Sequence, residues 1–222
     1  MIDGVILDLD GLMVDSELLA REAWQRCLDP YGRAMDTAQY RALIGVSHEE
    51  SARIVIDRYG LDVSPEELDH GFRRYFHTLV ETAKPYPGLL PLLDELRRRG
   101  YRLGIASNSP GKHVVSTARR LGIAAYFACI VGADQVPQAK PAPDVYLHAA
   151  RGLGLPPAHC LAAEDSPSGV QAAHAAGMGC VFIPNPDLPQ PNHASAEAVY
   201  PSLVAWHADL DRLLPPRPAP TV

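Results

Sequence analysis

The sequence predicts an α/β protein: a parallel sheet covered by helices on both faces, interrupted after its first strand by an all-helical insert. Three observations lead there. From residue 89 onward, short apolar runs alternate with helical stretches. Residues 16–82 carry helical periodicity and no convincing strand. Between the two regions lies Lys84-Pro85-Tyr86-Pro87-Gly88, which no helix interior accommodates.

The elements follow in order. Val5-Ile6-Leu7 is an apolar run ending at Asp8, too short for a helix, and reads as a buried first strand. Gly11 marks a turn. Residues 16–28 place Leu19, Ala23, Trp24 and Cys27 on one helical face. Ile54, Val55 and Tyr59 mark a second amphipathic helix. In residues 65–80, Leu68, Phe72, Phe76 and Leu79 form a stripe behind the helix start Ser64-Pro65. Beyond the linker, Leu89, Leu92, Leu93 and Leu96 form a helix stripe that stops at Gly100. Strands are then expected at 101–106, 129–131, 161–163 and 181–183, and helices at 110–122, 144–154, 167–176 and 202–214. The proline-rich tail 215–220 is expected to be mobile. Residues 1–14 and 85–222 would form the catalytic core, and residues 15–84 a helical cap near the carboxyl end of the first strand, where open α/β sheets bind ligands. Trp24 and Trp206 read as core or interface residues.

With 222 residues, 47% of them hydrophobic, the chain can bury a real core. The net charge of -6 points away from nucleic acid and anionic membrane. The basic cluster Arg97-Arg98-Arg99 reads as a solvated helix end. No apolar run is long enough to span a bilayer, and Met1-Ile2-Asp3 runs straight into a strand without a visible signal peptide. Cys27, Cys129, Cys160 and Cys180 lie far apart and form no C-x-x-C pair. A reduced, cytoplasmic setting is expected. A monomer is expected too, since no long exposed apolar helix is evident.

Polar groups sit just past the strand ends: Asp8 and Asp10 after the first, Ser107 after 101–106, and Glu164 and Asp165 after 161–163. Lys140 opens a further position in Ala139-Lys140-Pro141-Ala142-Pro143-Asp144. In a parallel sheet these ends face one way, so the groups should converge. Four carboxylates against one lysine need a proton or a cation. Hard oxygen ligands suit Mg²⁺, which also binds substrate phosphate, and zinc is disfavoured without a His/Cys cluster. A phosphate there would meet Asp8 as nucleophile, Asp10 as acid and base, and Lys140, Ser107 and backbone N–H groups as charge partners.

Each motif has a plainer reading. Asp8-x-Asp10-Gly11 could open a calcium loop, but the fifth and twelfth positions hold Leu12 and Leu19. Ser107-Asn108-Ser109 alone is a turn and helix cap. Lys140 alone is a surface lysine, and Glu164-Asp165-Ser166-Pro167 alone an acidic helix start. His70 and His77 are too far apart for an i,i+4 metal pair, and Arg74 is a solvated side chain or a substrate contact.

Together the four motifs resemble the haloacid dehalogenase superfamily of phosphotransferases, over nearly the whole chain. They are Asp8-Leu9-Asp10-Gly11, Ser107-Asn108-Ser109, Lys140-Pro141-Ala142-Pro143-Asp144 and Glu164-Asp165-Ser166. The resemblance implies a Rossmann-like core and Mg²⁺, with Asp8 as nucleophile and Asp10 as acid/base. It implies Ser107, Asn108 and Lys140 at the phosphate, and Asp8, Asp10, Glu164 and Asp165 at the metal. The insert and Asp15-Ser16-Glu17 look like the branch of β-phosphoglucomutase and sugar-phosphate phosphatases, which implies substrate contacts from Glu17, Gly45, Ser47 and His48.

Within that resemblance, Asp10 argues for phosphate chemistry over halide displacement. The absence of any lysine from Asp15 to Thr82 argues against a Schiff-base phosphonatase. The rival is a mutase, whose phosphate-gripping histidine, lysine and arginine align with Ala20, Ile44 and His48. That loss favours a phosphatase acting on a small phosphorylated metabolite. An inactive relative that binds a phosphorylated ligand stays as a further alternative.

Overall fold

The computed structural model describes residues 1–43, 48–185 and 196–216, with the backbone alone at His48. The chain divides into two compact units, Met1–Val14 with Lys84–Val222, and Asp15–Ala83.

The strands of the larger unit are β1 (Gly4–Leu7), β2 (Arg102–Ala106), β3 (Cys129–Val131), β4 (Cys160–Glu164), β5 (Gly179–Phe182) and β6 (Ala198–Val199). They form one parallel sheet in the order β3-β2-β1-β4-β5-β6. Chain-order helices α1 to α4 belong to the smaller unit: Glu17–Leu28, Thr37–Arg41, His48–Tyr59 and Pro65–Val80. The larger unit carries α5 (Leu89–Arg98), α6 (Gly111–Arg120), α7 (Asp144–Leu153), α8 (Pro167–Ala175) and α9 (Leu203–Ala208). This is the predicted α/β, Rossmann-like class. A parallel pair needs a crossover, and each apolar strand must be covered on both faces, which is why helices alternate with strands.

On one face of the sheet, Val145, Tyr146, Ala149 and Leu153 of α7 and Val170, Ala172 and Ala173 of α8 pack with Ile6, Ala162, Cys180 and Phe182. The helical unit has its own core: Trp24, Phe72, Leu68, Leu28, Tyr40 and Val55 are all buried. Trp24 of α1 stacks on Phe72 of α4 at 4.4 Å, and Phe72 on Phe76, one turn along α4, at 5.6 Å. Trp206 is fully buried in the larger unit. All four cysteines are free. Among the described residues no helix is long and apolar enough to cross a membrane.

Several boundaries differ from expectation. The strand expected at 161–163 continues through Glu164, because the Glu164 carbonyl accepts from Ile183 N at 2.7 Å and extends the ladder. The strand expected at 181–183 occupies Gly179–Phe182 instead. The helix expected over 202–214 stops at Ala208. Asp209 leaves helical geometry there and accepts the Tyr200 hydroxyl at 2.8 Å, and a short 3₁₀ turn, Leu210–Arg212, follows. β6 has two residues and carries no legible periodicity. Part of the tail is tied down, since Tyr101 donates its hydroxyl to the Pro215 carbonyl at 2.9 Å. Residues 217–222 lie outside the described residues.

Candidate active site

β1 lies between β2 and β4, so the sheet grows away from it in both directions. The carboxyl end of such a strand opens a crevice between neighbouring connections. Leu7 pairs with Ile105 and with Ala163, which puts Asp8, Ala106 with Ser107, and Glu164 at one level. Asp8 N donates to Ala163 O at 3.0 Å and Ser107 N to Val131 O at 3.0 Å. The strands thus fix the direction of these side chains before any side-chain contact is considered.

Beyond β1 the chain turns sharply: Met13 N and Val14 N both donate to Leu9 O, and Gly11 N donates to Val14 O. Gly11 has φ +86°, and a Cβ on it would lie 2.0 Å from Asp165 Oδ2. Only glycine serves both the dihedral and the close approach.

Lys140 is where the structure departs most from a plain surface lysine. It is buried, and its ammonium donates to Asp8 Oδ1 at 2.5 Å, to Glu164 Oε1 at 2.6 Å and to the Ala106 carbonyl at 2.8 Å. These are all the hydrogens an ammonium has. Asn108 sets the backbone that carries it: its Oδ1 accepts from Lys140 N at 2.9 Å and its Nδ2 donates to Lys140 O at 3.2 Å. The Asn108 amide is therefore engaged by Lys140 itself.

Glu164 is fully buried and heavily bonded. Its Oε1 accepts from Lys140 and from the Tyr146 hydroxyl at 2.7 Å, and its Oε2 from Ser166 Oγ at 3.1 Å and Asp165 N at 3.2 Å. A Cβ on Gly169 of α8 would fall within 2.1 Å of this carboxylate, so the helix start must be side-chain-free for Glu164 to sit there. Asp10 is held differently. Its Oδ2 accepts from Ser109 Oγ at 2.7 Å and from Ser107 Oγ at 3.3 Å. Its Oδ1 is buried without a hydrogen-bond partner among the described residues, and His113 Nε2 lies 4.0 Å away.

Burial pushes the Asp8 carboxyl well above the ordinary carboxylate range; Lys140 opposes this, while Glu164 and Asp10 add to it. Burial also acts against the Lys140 charge, but Asp8 and Glu164 outweigh it and hold the ammonium above the usual lysine range. Asp8, Glu164 and Asp165 are buried and offer carboxylate oxygens within 4.8 Å of one another. Lys140 brings one positive charge to these three carboxylates, and the deficit together with the hard oxygen donors fits a divalent cation such as Mg²⁺. Among the described residues, Asp8, Glu164 and Asp165 are the carboxylates placed to hold such an ion together.

The structure thus brings together Asp8, Asp10, Ser107, Asn108, Lys140, Glu164 and Asp165. The remaining predicted residues belong to the helical unit. There the Glu17 carboxylate accepts the Tyr40 hydroxyl at 2.5 Å. Gly45 and Ser47 and the side chain of His48 lie outside the described residues. Sequence reasoning named Ser109 only as part of its motif, without a role, and passed over Tyr146. Tyr146 carried a usable signal: a tyrosine on the apolar face of a helix must find a partner for its hydroxyl.

A family model described as haloacid dehalogenase-like hydrolase matches residues 5–183. The fructose-1-phosphate phosphatase YqaB of Escherichia coli is 33% identical over 183 residues, covering 81% of this chain and 95% of that protein. The β-phosphoglucomutase of Bacillus subtilis is 32% identical over 187 residues, covering 81% and 82%. A HAD family hydrolase from Deinococcus radiodurans R1, solved with bound phosphate and sodium, superposes with a TM-score of 0.83 at 27% identity, covering 98% of this chain and 99% of that one.

Proposed function

We propose that this chain, which belongs to the haloacid dehalogenase-like hydrolase family, is a Mg²⁺-dependent phosphatase that hydrolyses a small phosphate monoester, a sugar phosphate or a similar metabolite. The observation that carries the reading is Asp8 at the carboxyl end of the central β1, with the Lys140 ammonium 2.5 Å from its Oδ1 and a second acid, Asp10, two residues on.

In this reading an Asp8 carboxylate oxygen attacks phosphorus as the ester P–O bond breaks. Asp10 gives its proton to the departing alkoxide oxygen. An aspartyl-phosphate is left on Asp8. Asp10 then takes a proton from water as the water oxygen attacks phosphorus, which frees inorganic phosphate and restores Asp8. Ser107 and Lys140 offset the charge on the phosphoryl oxygens, and Asn108 holds the Lys140 backbone in place. Mg²⁺, when bound, supplies further positive charge to those oxygens. Asp8, Asp10, Glu164 and Asp165 would hold it. Residues 15–84 act as the cap, with Glu17, Gly45, Ser47 and His48 in substrate selection. The chain works as a monomer in the cytoplasm; its four free cysteines support the reducing compartment.

The second reading is a phosphosugar mutase, favoured by the likeness to the Bacillus subtilis β-phosphoglucomutase. Phosphate release should be measured across a panel of monoesters that includes fructose 1-phosphate, with Mg²⁺ and with chelator, using Asp8→Asn as control. Release that needs both Mg²⁺ and Asp8 is the expected result. Conversion of β-glucose 1-phosphate to the 6-phosphate without net release would replace the phosphatase by the mutase. Neither activity would leave a phosphate-binding relative.

A further inference from the structure

Lys140 has three acceptors for its three hydrogens, and one of them, Glu164 Oε1, is shared with the Tyr146 hydroxyl, 2.7 Å away. Tyr146 lies on α7, is fully buried, and sets its ring face 5.0 Å from the Lys140 nitrogen. A carboxylate oxygen only accepts, so the Tyr146 hydroxyl is the donor in its bond to Glu164 Oε1.

These contacts define a balance. Glu164 and Asp8 compete for one ammonium at 2.6 Å and 2.5 Å. A carboxylate oxygen that already accepts a strong O–H donor is a weaker acceptor for a second one. The other oxygen of Glu164 is fixed by Ser166 Oγ and Asp165 N, so the tyrosine acts on the oxygen that meets the lysine. We propose that Tyr146 is a positioning residue. By hydrogen-bonding Glu164 Oε1 it fixes that carboxylate and moderates its pull on Lys140, which keeps the ammonium on Asp8, where the nucleophile and its phosphoryl group need it. The proposal rests on the reading of Asp8 as nucleophile.

Tyr146→Phe removes the hydroxyl and keeps the ring, so the packing of α7 and the face turned to Lys140 survive. Losing a hydrogen bond to a charged group predicts a fall in kcat of about tenfold, with KM for the ester and the Mg²⁺ activation constant each within about twofold of wild type. Tyr126→Phe is the control, because its hydroxyl bonds the exposed Asp94 at 2.7 Å and its removal should leave kcat unchanged. A second readout does not depend on turnover. The side-chain ¹⁵N–¹H signal of the buried Lys140 ammonium, assigned by its loss in Lys140→Arg, should be protected from exchange in wild type. It should shift and exchange faster in Tyr146→Phe. An unmoved ammonium signal, or no protected signal in wild type, overturns the proposal. So does a kcat within twofold of wild type. Were no ester turned over at all, the phosphatase reading would fail and the ammonium signal alone would decide the role of Tyr146.

Discussion

Replacing Lys140 by methionine tests the electrostatics of the site more sharply than any other single change. The substitution keeps the stem and removes the ammonium that joins Asp8, Glu164 and the Ala106 carbonyl. All partners are sealed from water: the lysine side chain is 3% exposed, Asp8 8% and Glu164 0%. Removing one member of a buried ion pair costs roughly 3–5 kcal/mol, because the other charge is left without compensation. For a chain of this size each kcal/mol moves Tm by about 2–4 °C. The larger unit should therefore melt on the order of 10 °C lower in Lys140→Met, read by calorimetry in chelator. Glu164→Gln in the same background removes one of the two stranded charges, so the double variant should be less destabilised than the sum of the singles, with a coupling of about 0.5–3 kcal/mol. Phosphate release should fall by about 10²–10³, as when one preorganised donor is lost. A Lys140→Met protein that melts within about 1 °C of wild type would contradict a buried ion pair at this position. It would mean that the carboxylates find their counter-charge elsewhere.

Three further outcomes are expected, two at the same site and one at the end of α5. Asp10→Asn should reduce turnover of alkyl phosphates by about 10²–10⁴ while p-nitrophenyl phosphate, whose leaving group needs no acid, still phosphorylates Asp8; intact-protein mass should show the trapped phosphoryl group. Gly169→Ala would place a methyl within 2.1 Å of the buried Glu164 carboxylate; urea unfolding should show a loss of about 1–3 kcal/mol, with lower kcat as Glu164 and then Lys140 shift. Hydrogen bonds from Arg98 and Arg99 hold the Glu95 carboxyl down at about 2, against an ordinary 4.5; its stabilisation is full above pH 4.5 and fades as pH falls toward 2, so the Tm gap between wild type and Glu95→Gln should close over that window.

Much of the fold could be read from the chain because its signals are local. The apolar run before Asp8, the stripe Leu89, Leu92, Leu93 and Leu96, and the Ser64-Pro65 helix start each express a period or a steric rule within a few residues. The parallel class followed from alternation alone. Neither the two-residue β6 nor the end of α9 followed, since a pair of residues carries no period and Asp209 stops its helix through Tyr200, nine residues back.

The candidate site divides along the same line. The residue types and their order, two aspartates, a serine, a lysine and an acidic pair, lie in the sequence. Strand direction then requires them to share one end of the sheet. Which atom meets which was decided only by the tertiary structure, because those contacts join residues far apart in the chain: Lys140 and Asp8 are separated by 132 positions, and Ser109 and Asp10 by 99. That Asn108 grips the Lys140 backbone depends on how two loops meet, and that Tyr146 shares Glu164 with Lys140 depends on how α7 seats against the sheet. A one-dimensional pattern records that a side chain is polar or apolar. It does not record the distance at which burial turns a lysine into the partner of two carboxylates.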